Sequence, residues 1–148
     1  MKVSTKGRYG LRALVDLAVR EKDGHVTLIS LAQHNNLPMH YMEHVFSSLK
    51  NAGIVKSQKG SQGGYVLGDK AENITIARIL YALEGSFKVE GEQYSETSEY
   101  KDISIALDIL IWDRVNDNVT NLLETTTLED LKSEYIRRTT GQSDIYYI

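Results

Sequence analysis

His40, Glu43 and His44 stand together in HYMEH (residues 40–44), a match to H-x-x-E-H. In that pattern two histidines one helical turn apart bind zinc, and the glutamate between them acts as general base. Taken alone, the motif describes a small zinc hydrolase. Such a site also needs a third protein ligand and a cleft for substrate, and no other run of the sequence supplies them. A second candidate is GSQGGYVLG (60–68), which places four glycines in nine positions. Extended to GGYVLGDK it nearly reproduces a phosphate-binding loop, but the lysine comes one place late and no Ser or Thr follows it. Phosphate capture of that kind also uses the N-terminus of a following helix. Here the glycines lie between two short strand-like runs and read as a tight, close-approaching turn.

The elements that must hold these residues follow from periodicity. Ser4 or Thr5 can cap a first helix, about 8–22, whose Leu11, Leu14, Val15 and Ala18 share a face. Thr27 precedes a short helix, LISLAQHN, and a tight turn at Asn35-Asn36-Leu37-Pro38. A third helix, about 39–52, carries Met42, Val45, Phe46, Leu49 and Ala52 on one stripe. Its opposite side bears His40, Glu43, His44, Ser47 and Asn51, a polar face suited to contact. IVKSQ (54–58) and YVL (65–67) make a hairpin around the glycines. Thr75 caps a fourth helix that Gly85 ends. Residues 86–99 are acidic and aperiodic, as in a linker, and a long helix spans about 100–124. Its Ile103, Leu107, Leu110 and Ile111 form one face, expected against its own domain. Ile105, Ile109 and Trp112 lie nearly opposite and are expected to meet a second copy in a homodimer. Thr126 and Glu129 are placed as a capping box for a last helix.

The fold class is therefore mainly α with a small β-hairpin: a winged helix-turn-helix (1–85), an acidic linker (86–99), and a dimerisation helix with a C-terminal helix and tail (100–148). Charge is distributed to match. Residues 1–85 hold 11 Lys+Arg against 7 Asp+Glu, whereas residues 86–148 hold 6 against 13, so a net −3 hides a basic half. In this architecture the third helix is the size of element that a DNA major groove admits. Met39, His40, Tyr41, Glu43 and His44 occupy its N-terminal end; Glu can accept from cytosine N4, and His or Tyr can serve bases or phosphates. Lys6, Arg8, Arg12, Lys50, Lys56 and Lys59 would meet the backbone, with Ser61 and Gln62 beside Lys59 at the tip of the wing. No run approaches the roughly 20 apolar residues of a membrane span, and MKVSTKGRYG lacks an apolar signal stretch. A cytoplasmic protein with no membrane partner is expected.

STKGRYGLRALVDLA, LAQHNNLPMHYMEHVFSSLKNAGIVKSQKGSQGGYVLG and IARILYALEG, in that order, resemble the Rrf-two family of bacterial repressors over roughly the first 85 residues. The resemblance implies a winged-helix dimer crossed by a long helix, binding a palindromic double-stranded operator. It also places His40, Tyr41 and Glu43 in the recognition helix and Lys59, Ser61 and Gln62 in the wing. Many members hold an iron–sulfur cluster on cysteines beyond the fourth helix; this chain has no cysteine, so no cofactor and no metal are expected. LIWDRVNDNVTNLLETTTLEDL and the terminal YYI are similar to the cluster-free branch that controls cysteine metabolism together with cysteine synthase. Because cysteine synthase accepts a C-terminal Ile in its active site, Tyr146, Tyr147 and Ile148 are candidate contacts for that partner; alternatively they pack against the dimer. Two other functions compete: the zinc hydrolase on HYMEH, and a protein-interaction module that has lost DNA binding.

Overall fold

The computed structural model describes residues 1–61 and 63–141; Gln62, Tyr146, Tyr147 and Ile148 lie outside the described residues. Helix α1 (Thr5–Arg20) starts where the Ser4 side chain accepts the Gly7 N–H. Ser4 also anchors this end to helix α4 (Ile76–Glu84), donating its N–H and its hydroxyl to Glu84 Oε1 at 2.9 and 2.6 Å. Gly7 leaves room for that carboxylate: a β-carbon there would displace Glu84 from its bonds to Ser4. Helix α2 (Leu28–Asn35) is capped by the Thr27 side chain and ends at Asn36 in the left-handed conformation, φ 55°. Helix α3 (Met39–Asn51) follows after Pro38, and β1 (Val55–Gln58) and β2 (Gly64–Leu67) pair antiparallel, Val55 opposite Leu67 and Gln58 opposite Gly64. Val26 adds one antiparallel bridge to Tyr65, so the hairpin is rooted in the turn between α1 and α2.

Phe46, Leu14, Leu17, Leu31, Met42, Leu49, Ile54 and Ile79 are fully buried where α1, α2, α3 and α4 converge. Leu128 of helix α7 (Leu128–Ile136) joins them. The chain reaches α7 through a short backbone exchange: Ile76 N–H donates to Thr126 O (2.9 Å) and Leu128 N–H to Ile74 O (2.8 Å). Thr126 is thereby occupied by α4, and the capping box forms one residue later than predicted, between Thr127 and Asp130.

The long helix comprises α5 (Lys101–Leu107), a π-helical turn (Asp108–Trp112) and α6 (Asp113–Thr125), continuous through αR junctions. Residues 86–94, which carry no helix or strand, contact it repeatedly. Phe87 is buried, Val89 N–H donates to Asn116 Oδ1 (2.8 Å), Asn116 Nδ2 donates to Val89 O (2.9 Å), and Ser104 Oγ donates to Glu92 Oε2 (3.2 Å). Val119 and Leu123 pack on the core. The inward face therefore includes Ser104, Asp108, Trp112, Asn116, Val119 and Leu123, at successive three- and four-residue steps. Of the three residues expected at a dimer seam, Ile105 and Trp112 are half-buried and Ile109 is exposed. The larger open apolar surface is formed by Ile103 (66% exposed), Leu107, Leu110 (59%) and Ile111, the face expected to pack inward. The reason is that residues 87–94 and the core claim the other side of the helix.

Candidate nucleic-acid interface

Helix α3 turns Met42, Val45, Phe46 and Leu49 into the core, and this leaves His40, Glu43, His44, Ser47, Lys50 and Asn51 in solvent on the opposite side. His40 and His44, four residues apart, bracket Glu43 on one exposed strip. Among the described residues no group of three or more His, Cys, Asp or Glu side chains is arranged to hold a metal. The exposed His40, Glu43 and His44 side chains can donate and accept hydrogen bonds to a partner. Lys56, Lys59 and Ser61 of the hairpin are exposed beside it in the chain, and Arg8 is exposed near the start of α1.

Four of the expected contact residues make contacts within the chain, three of them half-buried and Arg12 at the surface. Tyr41 is half-buried and meets Tyr9 edge-on, ring centroids 5.6 Å apart at 75°. Burial, then the neighbouring Tyr9 and Glu84, push its phenol above the usual tyrosine range, so Tyr41 remains a neutral strut between α3 and α1. Met39 is half-buried against the core, beside Thr27, Leu28 and Ile29. Lys6 Nζ donates to Ser48 Oγ at 3.0 Å and so ties α1 to α3. Arg12 donates from Nη2 to Asn35 O (2.8 Å) and lies 5.2 Å from the Tyr9 ring centroid. These residues orient the recognition strip; His40, Glu43, His44 and Lys50 form its open part.

The wing is held from within. Phe46 and Tyr65 meet edge-on at 4.9 Å, which couples α3 to β2 through the core, and Glu21 accepts the Leu67 N–H at 2.7 Å. His25 was not legible as part of this region. Its ring lies over Gly64, where a β-carbon would collide with Cδ2. The Val26–Tyr65 bridge brings it there, across 39 residues of chain, and no local pattern signals that pairing.

Two helices joined through a left-handed residue, the second with an exposed polar strip and a hairpin following it, define a winged helix-turn-helix of the DNA-binding class. Residues 3–134 match the Rrf2 family, described as an iron-dependent transcriptional regulator, and the chain belongs to that family. It is 42% identical over 147 residues to the HTH-type transcriptional regulator CymR of Bacillus subtilis (strain 168), spanning 99% of this chain and 97% of the relative. It is 31% identical over 131 residues to IscR of Photorhabdus laumondii, spanning 88% and 79%. The solved structure of CymR, described as the global cysteine regulator of B. subtilis, superimposes with a TM-score of 0.75 over 90% of this chain and 98% of that one. Oxidized Staphylococcus aureus CymR, 37% identical, gives 0.70 over 89% and 96%. This chain is an Rrf2-family helix-turn-helix transcriptional regulator. No helix among its described residues is long and apolar enough to cross a membrane.

Proposed function

We propose that the protein is a homodimeric repressor that binds a palindromic operator without an iron–sulfur cluster, the third helix entering the major groove and the wing meeting the adjacent backbone. The observation that carries this reading is the open His40–Glu43–His44 strip, backed by a fully packed apolar face and flanked by exposed lysines. A dimer follows from the unpartnered Ile103, Leu107, Leu110 and Ile111, and two-fold symmetry in the protein calls for an inverted repeat in the DNA. Fluorescence anisotropy with DNA from the protein's own promoter region tests the reading at several salt concentrations. A discrete complex that survives competitor DNA is expected, and its absence would refute sequence-specific binding.

Two substitutions separate base reading from backbone binding. Glu43→Ala should cost about 1–3 kcal/mol against the preferred operator and relax selectivity at one base pair. Lys59→Ala should weaken binding similarly on all sequences and reduce the slope of log K against log salt by about 1. Equal behaviour of the two variants would contradict the assignment of roles.

For regulation we take cysteine or sulfur metabolism as the target and cysteine synthase as the protein partner. Support comes from the 42% identity to CymR, described as a cysteine regulator, and from the absence of cysteine ligands in this chain. Tyr146, Tyr147 and Ile148 are the proposed partner contacts. Titration of cysteine synthase into the full chain and into a chain lacking Ile148 checks this; unchanged affinity would remove the tail from the interface.

A further inference from the structure

His25 belongs to neither helix of the helix-turn-helix nor to the hairpin, yet its ring lies on the hairpin. Val26 N–H donates to Tyr65 O at 3.0 Å and Tyr65 N–H returns to Val26 O at 2.8 Å, and this exchange pins Val26 opposite Tyr65, so that the adjoining His25 ring reaches diagonally to Gly64, the first residue of β2. The imidazole covers Gly64: a β-carbon there would strike Cδ2 and lie 3.0 Å from Cγ. The same ring reaches the other end of the loop, since a β-carbon on Gly60 would sit 3.1 Å from Cε1 and 3.4 Å from Nε2. One aromatic side chain therefore spans both ends of the wing loop. Lys59, Gly60 and Ser61 are exposed, and among the loop's described residues Gly63 N–H donates to Gly60 O at 3.3 Å.

We propose that His25 is a positioning residue for DNA binding, a floor on which the wing loop rests in the conformation that presents Lys59 and Ser61 to the nucleic acid. The role is indirect and rests on the reading of the hairpin as a DNA-contacting wing. With the ring removed, the loop is ordered only on binding, and the lost conformational freedom is subtracted from affinity. The glycines at 60 and 64 then have a reason beyond turn geometry: they leave room for the imidazole.

Operator binding by the full-length chain tests this, with anisotropy measured for wild type, His25→Ala and His25→Phe, each with and without Lys59→Ala. His25→Ala should bind about tenfold more weakly, and His25→Phe, which keeps a flat ring, should restore most of the loss. In the His25→Ala background the effect of Lys59→Ala should shrink, because a loose wing no longer delivers the lysine. Melting temperatures should stay near wild type, since His25 is exposed. Wild-type affinity in His25→Ala would overturn the proposal, as would a His25→Phe protein as weak as His25→Ala, or an undiminished Lys59→Ala effect. If wild type itself forms no discrete complex, the failure belongs to the DNA-binding reading instead.

Discussion

Leu107→Glu is expected to leave the chain monomeric and to lower operator affinity by about a hundredfold or more. Leu107 sits among Ile103, Leu110 and Ile111 on the open side of α5 and the π-helical turn, with spacings of four, three and one that keep all four on one stripe. In a two-fold interface the substitution enters twice. Each carboxylate would be taken from water without a partner, at a cost that burial of the remaining apolar side chains does not offset. A monomer then holds one half-site at a time, and the gain from tethering two reading heads is lost. Sedimentation equilibrium reads the first effect and anisotropy on the full palindrome the second. A variant that stays dimeric would move the seam elsewhere on the molecule. Folding should be retained, because the side chain is already solvent-exposed in one chain.

Phe46→Ala should be the most damaging single change to stability, about 3–5 kcal/mol. That is a large part of the roughly 5–15 kcal/mol that holds a domain folded. Phe46 has no exposed surface and lies against Tyr65, so truncation opens a cavity and removes an aromatic pair together. The loss reaches function as well, because this contact holds the recognition helix in register with the wing. Denaturant titration of both proteins should show a lower midpoint at similar slope. A shift below about 1 kcal/mol would mean that the surroundings collapse into the vacated space.

Elements controlled by neighbouring residues were legible in the sequence. Thr75 accepts from Arg78 N–H as expected of a capping residue, and of the expected stripe Met42, Val45, Phe46 and Leu49 are the buried face of α3, while Ala52 lies just past its end and is exposed. Features settled by distant partners were not. Thr126 looked like a cap but has its carbonyl committed to Ile76, which moves the capping box to Thr127. Ile105 and Trp112, expected to meet a second copy, are half-buried within the single chain, on a helix that Val89 and Glu92 fasten through Asn116 and Ser104. The recognition strip shows the same division. Its polar side could be read from helical spacing, whereas the turning of Tyr41 onto Tyr9 and of Lys6 onto Ser48 depends on how α1 crosses α3.

The pairing of Asn116 with Val89 has a bearing on how this region can change over generations. A side-chain amide that accepts the N–H and donates to the C=O of one residue binds it as a neighbouring strand would, through groups that every residue other than proline possesses. Selection for that attachment acts on residue 116 and hardly at all on the identity of residue 89. The side chain at residue 89 can therefore change while the backbone there remains fastened to the long helix, whereas Phe87, buried in the core, and Glu92, bonded to Ser104, are held through their side chains.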